Sequence, residues 1–207
     1  MRRKKQIKED EYIEYNILSS EEIDRIIKEH KKRNLNLISR YQKMTLKQIE
    51  KYKDDLNWKL VCRYQTLTEE FMEKHIDKIK FAIISKYQVL SNDFINKYSD
   101  KLEWYYISKY QELSQETIEK NIDKLHDFIN RISKYQKLDC NFMEKNFHYM
   151  DIDNIAKYQT LTEEFMEKHK RLLDWNLLLK YQNLSPNFIA KHKVKFNINN
   201  SYIRKNI

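Results

Sequence analysis

Residues 90–111 read LSNDFINKYSDKLEWYYISKYQ, and the closing Tyr-Gln dipeptide of this stretch decides the fold because it recurs along most of the chain. The gaps between successive dipeptides are 23, 23, 23, 25, 23 and 23 residues. A fixed period of roughly 20 to 50 residues is typical of stacked-repeat architectures. We number each copy from its tyrosine as position one, and we call the residues at one position in successive copies a column. The seven tyrosines are Tyr41, Tyr64, Tyr87, Tyr110, Tyr135, Tyr158 and Tyr181.

Position five predicts that a short helix begins in every copy. Its side chain is Ser, Thr or Asp in all seven copies, and these residues cap helix N-termini. Apolar residues at positions four and nine flank the cap, as in a hydrophobic staple. Pro186 falls at the first helical position, where proline is tolerated best. The predicted caps are Thr45, Thr68, Ser91, Ser114, Asp139, Thr162 and Ser185.

A second helix is predicted in the later half of each copy. Position sixteen is apolar in all seven copies, and further apolar columns follow two and five residues later. This spacing places the apolar side chains on one helical face. The fourth copy has two extra residues near LHDFIN (125–130), which predict a bulged turn or a slightly longer second helix. The column two residues after position sixteen holds Trp58, Phe81, Trp104, Ile152 and Trp175, with Phe128 as the nearest equivalent in the long copy.

The two helices per copy predict an all-α protein, an α-solenoid of about seven to eight helix–turn–helix copies. We expect a basic N-terminal arm over residues 1–14 and a single repeat domain over residues 15–207. Within that domain, residues 15–40 are expected to form an N-terminal cap, residues 41–180 six full copies, and residues 181–207 a C-terminal cap.

Composition narrows the functional classes. Glycine is absent, which disfavours phosphate-binding loops and tight hairpins. The cysteines Cys62 and Cys140 are isolated, and no two histidines stand at a metal-ligand spacing, so we expect no metal, no cofactor and no enzymatic activity. No apolar run reaches the length of a membrane span, and the first residues lack a signal-peptide core, so an intracellular, cytoplasmic location is expected.

Two columns are uniformly basic, and the chain carries a net charge of +9. Both columns fall near predicted helix C-termini, where Lys and Arg complement the helix dipole. Alternatively, two rows of cations along one body follow a nucleic-acid backbone, with binding that weakens steeply as salt rises. Position eleven holds Lys51, Lys74, Lys97, Lys120, Lys145, Lys168 and Lys191, and position 23 holds Arg40, Arg63, Lys86, Lys109, Lys134, Lys157 and Lys180.

The Tyr-Gln dipeptide itself has two interpretations. The tyrosines either stack on bases, as in single-strand binders, or pack between copies with the hydroxyl reaching water or the backbone. The glutamines lie at the centre of the apolar face, where a buried amide requires hydrogen bonds. We therefore hypothesise that each glutamine ties its helix end to the adjacent loop and fixes the register between copies.

Specificity is expected at positions that differ from copy to copy. The residues after the tryptophan column vary most usefully, and Tyr105 with Tyr106 forms an aromatic cluster next to Trp104. Exposed aromatic residues are favoured in protein-binding hot spots, although packing inside a neighbouring copy is an alternative for one of the pair. The candidate protein-binding residues are Tyr105, Tyr106, Lys59 and Asn176.

Residues 90–114, LSNDFINKYSDKLEWYYISKYQELS, resemble the short repeats of the form LSxxFIxKxxDKLxWxxISxYQ found in uncharacterised proteins of giant DNA viruses and low-GC phages. The resemblance covers roughly residues 15–203, although the fifth copy departs from it with Ile152 in place of the tryptophan. It implies an α-helical repeat protein of viral origin and transfers no activity.

These observations lead to two functional expectations. The first is a non-enzymatic repeat scaffold that binds a protein partner, such as a host or defence component. The alternative is a nucleic-acid-binding repeat protein that uses the two basic columns.

Overall fold

The structure is a computed structural model that describes residues 10–28 and 32–196. These residues form short helices joined by turns, and none of them lies in a β-strand. The predicted all-α class is confirmed. The chain divides after Gln111 into two compact units, which are described separately below.

The first unit begins with a helical segment over residues 10–15, which we call α1. Pairs of helices then follow in the order expected from the repeat. They are α2 (Ser20–Lys28), α3 (Lys32–Tyr41), α4 (Leu46–Lys51), α5 (Trp58–Tyr64), α6 (Glu69–Lys74), α7 (Phe81–Tyr87), α8 (Asn92–Lys97) and α9 (Trp104–Tyr110).

The second unit continues the alternation, with two short 3-10 turns at His126–Phe128 and Phe147–Tyr149. Its helices are α10 (Gln115–Lys120), α11 (Ile122–Leu125), α12 (Ile129–Tyr135), α13 (Cys140–Asn146), α14 (Ile152–Tyr158), α15 (Glu163–Lys168), α16 (Trp175–Tyr181) and α17 (Pro186–Lys191).

The first helix of each copy begins at the predicted cap. In α6, for example, the Thr68 hydroxyl accepts a hydrogen bond from the Phe71 N–H at 3.2 Å. The same contact forms at all seven position-five residues, so this prediction is confirmed. The donor residue at position eight is itself buried in every copy, which the apolar pattern alone did not reveal because two copies carry Gln48 and Thr117 there.

The second helices pack against one another in succession. In the first unit α3 contacts α5, α5 contacts α7 and α7 contacts α9, and in the second unit α12 contacts α14 and α14 contacts α16. Close approach is possible because a small residue precedes each position-23 cation, and Ser39, Cys62 and Ser85 are fully buried there. The tryptophans anchor the neighbouring turn, as when Trp58 Nε1 donates to the Lys53 carbonyl at 2.8 Å.

The long fourth copy corrects one residue assignment. Ile129, rather than Phe128, begins α12 and is buried at the tryptophan position, six residues before Tyr135. Phe128 instead lies in the 3-10 turn and is half-buried. The two extra residues are absorbed in α11 and this turn, so α12 keeps the seven-residue length of its counterparts.

The chain ends differ in how far the structure describes them. Residues 1–9 of the expected basic arm lie outside the described residues, and residues 10–14 differ from a solvated arm because they are helical and bury Ile13. Residues 197–207 of the expected C-terminal cap also lie outside the described part of the chain, whereas Phe196 packs against Trp175 with ring centroids 5.0 Å apart. Across the described residues, no helix is both long and apolar enough to cross a membrane.

Candidate interaction surface

The glutamine at position two joins each copy to the one before it. The Gln88 side-chain amide donates to the carbonyls of Cys62 and Gln65 at 2.8 and 2.7 Å, and its oxygen accepts from the Leu67 N–H at 3.0 Å. The same three contacts recur in the described chain for Gln65, Gln111, Gln159 and Gln182. These are the hydrogen bonds that the register hypothesis requires.

The equivalent bonds of Gln42 extend the register toward the N-terminus. Its amide donates to the Ile13 and Asn16 carbonyls, and its oxygen accepts from the Leu18 N–H at 3.0 Å. Leu18 therefore stands where the position-four leucines stand in later copies. The contact also explains why Ile13 and its neighbours are ordered into a helix rather than into a basic arm.

The glutamine contacts leave the preceding tyrosine at the surface. The seven position-one tyrosines are 38 to 50 % exposed. Each described helix α3, α5 and α7 ends with a cation followed by this tyrosine, so cations and rings from successive copies meet. The tyrosines are thus neither buried seams nor isolated surface residues.

Cations and tyrosine rings alternate along the first unit. The Arg40 guanidinium carbon lies 5.0 Å from the Tyr41 ring centroid and 5.6 Å from that of Tyr64. Arg63 lies 5.1 Å from Tyr64 and 4.8 Å from Tyr87. These separations are within the range of cation–π attraction.

The next two cations continue the arrangement. Lys86 Nζ lies 5.0 Å from the Tyr87 centroid and 5.4 Å from that of Tyr110, and Lys109 lies 5.0 Å from Tyr110. We call this set the cation–tyrosine row: Arg40, Tyr41, Arg63, Tyr64, Lys86, Tyr87, Lys109 and Tyr110. In the second unit, Lys134 lies 5.3 Å from both Tyr135 and Tyr158, and Lys180 lies 5.1 Å from Tyr181.

The row keeps its positive charge. Among the described residues, no carboxylate lies within ion-pair distance of Arg40, Arg63 or Lys86. A hydrogen bond with the Tyr87 side chain raises the pKa of Lys86, so this amine stays protonated at neutral pH. The first ring differs, because a hydrogen bond with the Glu14 carboxylate raises the pKa of Tyr41.

The position-eleven lysines, by contrast, have carboxylate partners. Lys51 pairs with Asp24 at 2.6 Å, and Lys74 pairs with Glu50 at 3.2 Å. Lys97, Lys168 and Lys191 likewise pair with the position-ten glutamate of the preceding copy. Lys120 and Lys145 are exposed. The two basic columns that look alike in the sequence therefore differ in local charge balance.

Some position-ten glutamates gather several cations. Glu50 accepts Lys53 at 3.0 Å and lies 2.5 Å from His75 Nε2, in addition to Lys74. The hydrogen bond with Lys53, followed by the one with His75, lowers the pKa of Glu50 to about 2. Glu167 has an equivalent environment, and the hydrogen bond with Lys170 is the main cause that lowers its pKa to about 2.

The candidate protein-binding residues lie on the second helices. Tyr105 is 51 % exposed and meets the half-buried Tyr106 edge-on, with centroids 5.3 Å apart. Lys86 also lies 5.5 Å from the Tyr106 centroid, so this pair adjoins the cation–tyrosine row. Lys59 is exposed at the position equivalent to Tyr105, two copies earlier in the same unit, whereas Asn176 is exposed in the second unit.

The remaining reactive side chains do not converge on a site. Cys62 is buried, and its burial raises the pKa of its thiol, whereas Cys140 is half-buried. No group of three or more His, Cys, Asp or Glu side chains in the described chain is arranged to hold a metal ion. A groove of about 300 Å³ opens in the long copy, lined by residues that include Asp123, His126 and Tyr149.

Sequence reasoning missed the carboxylates of the position-eleven contacts. A signal was present, because glutamate recurs at position ten, and a Lys and often a His follow 24 and 25 residues later. It also treated the basic position-23 column and the tyrosine column separately. Their alternation was not foreseen, because it arises between copies and not within one.

The kinship with viral short-repeat proteins rests on the sequence pattern. No family model matches the chain, and neither a curated protein nor a solved structure matches it.

Proposed function

We propose that the chain is a non-enzymatic α-solenoid of 23-residue repeats that binds another protein, and that it serves a virus or phage by engaging a host or defence component. The succession of second helices within each unit supports the solenoid, because each helix contacts its counterpart in the next copy. The repeated glutamine bonds support it further, since they give consecutive copies the same offset.

One observation carries the protein-binding assignment: the side chains that recur are used between copies, and those that vary face solvent. The glutamines, the small column and the tryptophans are buried. At the position just after the tryptophan, Lys59, Ala82 and Tyr105 are exposed and chemically different. A rigid scaffold with a variable face containing a half-exposed tyrosine suits recognition of a protein surface.

Affinity capture from native or infected cells, followed by reconstitution with purified components, tests protein binding. We expect a nuclease-resistant partner that binds the purified chain directly and is lost on Tyr105→Ser. Tyr149→Ser is the matched control, because Tyr149 is 57 % exposed in the other unit. Direct binding that survives Tyr105→Ser, or retention that nuclease abolishes, contradicts the assignment.

Solution scattering tests the solenoid independently of any partner. A compact globule of 207 residues has a radius of gyration of about 17 Å. We expect a clearly larger value, above about 20 Å, for a monomer whose copies stack in one direction. A value near that of a compact globule contradicts the solenoid.

A second candidate function, nucleic-acid binding, is favoured by the unpaired charge of Arg40, Arg63 and Lys86 within the described residues. Affinity for RNA and DNA measured over a salt series tests it, because released counterions set the slope. A slope equivalent to about six or more ions supports this candidate, and a slope near zero removes it.

A further inference from the structure

We propose that the cation–tyrosine row of the first unit binds an extended acidic segment of a protein partner, with a carboxylate at every third residue. This inference rests on the proposed protein-binding function and names the chemistry of the partner. Four features carry it: the spacing of the cations, their charge, the state of the tyrosine rings and the example that Glu14 provides.

The spacing of the cations follows from shared rings. Arg40 and Arg63 lie 5.6 and 5.1 Å from the centroid of the same Tyr64 ring, so their charged carbons are at most about 11 Å apart. Arg63 and Lys86 lie 4.8 and 5.0 Å from the Tyr87 centroid, which limits their separation to about 10 Å. The row therefore presents one positive charge roughly every 10 Å, the separation of packed helices.

This interval matches an extended peptide. A polyproline II segment has three residues per turn and rises about 3.1 Å per residue, so every third side chain returns to one face after about 9 Å. A β-like segment covers about 10 Å in three residues. An acidic residue at every third position thus meets successive cations, and a polyproline II ligand loses little entropy on binding because it is already extended.

The charge of the row has no compensation from carboxylates in the described chain at Arg40, Arg63 and Lys86. The neighbouring position-eleven lysines, in contrast, are already paired, as Lys74 is with Glu50. An acidic ligand gains more from the first set, because binding there breaks no existing ion pair.

Glu14 provides an example within the chain. Its carboxylate forms a hydrogen bond with the Tyr41 side chain at the first ring of the row, and this contact raises the pKa of Tyr41. A tyrosine hydroxyl beside a guanidinium group is therefore a compatible environment for a carboxylate. The proposed ligand repeats this contact at the later rings.

The rings favour a peptide over a stacked nucleic acid. Single-strand binders use free aromatic faces on which bases stack. Tyr64 and Tyr87 each have two cations over the ring, so a base cannot stack there without displacing one. A carboxylate approaches the cations and hydroxyls from the side and leaves the rings in place.

Fluorescence anisotropy with the full chain tests the proposal. The probe is a labelled twelve-residue peptide, (Glu-Pro-Ser)4, and its control has the same composition with the glutamates in two adjacent pairs. We expect the regular peptide to bind at least about tenfold more tightly than the paired control. Equal affinity for the two peptides overturns the proposal.

Matched variants locate the binding. Arg63→Gln combined with Lys86→Gln should weaken binding of the regular peptide about tenfold or more, whereas Lys74→Gln combined with Lys97→Gln removes the same charge from the same unit and should change it less than about twofold. Thermal unfolding verifies the fold of each variant, and Arg40→Gln, at the end of the row, replaces the first pair if that pair is destabilised. Unchanged binding by the row variants overturns the proposal.

A twelve-nucleotide oligo(dT) probe separates the two kinds of partner. Tighter binding of oligo(dT) through the same row assigns the row to nucleic acid and overturns the acidic-peptide proposal. The capture experiment reads a different residue, Tyr105, so the two failures are distinguishable. A partner lost on Tyr105→Ser, with no peptide binding, refutes this inference alone.

Discussion

The side-chain amide of Gln88 donates a 2.7 Å hydrogen bond to the main-chain carbonyl of Gln65, its counterpart one copy earlier. Gln65 in turn donates to the Gln42 carbonyl at 2.8 Å. Each glutamine therefore satisfies the backbone beside the previous glutamine, and the chain of contacts runs through the apolar interior of the first unit. Buried backbone groups depend on these bonds, because water cannot reach them.

Replacing Gln88 with leucine should destabilise the protein strongly. The change leaves the Leu67 N–H and the Cys62 and Gln65 carbonyls without partners, and each buried unsatisfied group costs about 1–3 kcal/mol. We expect a loss of about 3 kcal/mol after relaxation, measured by urea denaturation. The matched control is Gln182→Leu, since Gln182 makes the same contacts but is half-buried, and its loss should be smaller. Equal losses below about 0.5 kcal/mol would refute the register role.

Thr68→Ala should remove one helix cap. The Thr68 hydroxyl accepts from the Phe71 N–H at the start of α6, and losing such a cap costs about 1 kcal/mol. Thr66, two residues earlier, is exposed and precedes the helix, so Thr66→Ala is a matched control with an expected change within about 0.5 kcal/mol. Chemical denaturation of both variants checks the difference, and similar values for the two threonines would count against the cap.

Acid should weaken the protein through Glu50 and Glu167. Their folded-state pKa values, about 2, lie below the ordinary value of 4.5, so the unfolded chain takes up the proton first. The stabilisation is therefore complete above about pH 4.5 and is lost as the pH falls to about 2. We expect Glu50→Gln combined with Glu167→Gln to flatten the dependence of Tm on pH across this window.

Glu70→Gln combined with Glu164→Gln provides the control for the acid series. Both residues are exposed in the first turn of their helices, so this pair removes the same number of carboxylates. Its Tm profile should remain parallel to that of the parent protein. Parallel profiles for the Glu50 and Glu167 pair as well would show that the lysine and histidine contacts add nothing to stability.

Thiol labelling should distinguish the two cysteines. Cys62 is fully buried, and burial raises the pKa of its thiol, so both access and the thiolate fraction are low. Cys140 is half-buried at the start of α13 and should react first with iodoacetamide. Mass spectrometry of the native and the urea-unfolded chain checks the order. Native-state labelling of Cys62 in a Cys140→Ser variant would contradict the tight packing of α5.

The local structure was largely predictable because it is governed by short-range rules. Thr68 and its counterparts announce each first helix, since capping needs a hydroxyl or carboxylate at one defined position. The buried faces follow from the 3.6-residue period, as Trp58 and Val61 illustrate. Phe128 was assigned wrongly because two inserted residues shift the register, and counting back from Tyr135 identifies Ile129 instead.

The candidate surface was less predictable because it forms between copies. The spacing within one copy cannot show that Arg63 meets Tyr87, which lies 24 residues later. The same holds for Lys74 and Glu50, whose pairing separates two basic columns that are alike in sequence. Such contacts depend on the offset between neighbouring helices, and that offset follows from packing of side chains distant along the chain.

The backward reach of each glutamine has a consequence for how such a chain can lengthen. Every 23-residue segment supplies one amide to the segment before it and offers one N–H and two carbonyls to the segment after it. A duplicated segment therefore arrives with matching donors and acceptors on both sides, whereas a fragment of one does not. In-frame gene duplication of whole segments is thus the route of growth that preserves buried hydrogen bonding at every step.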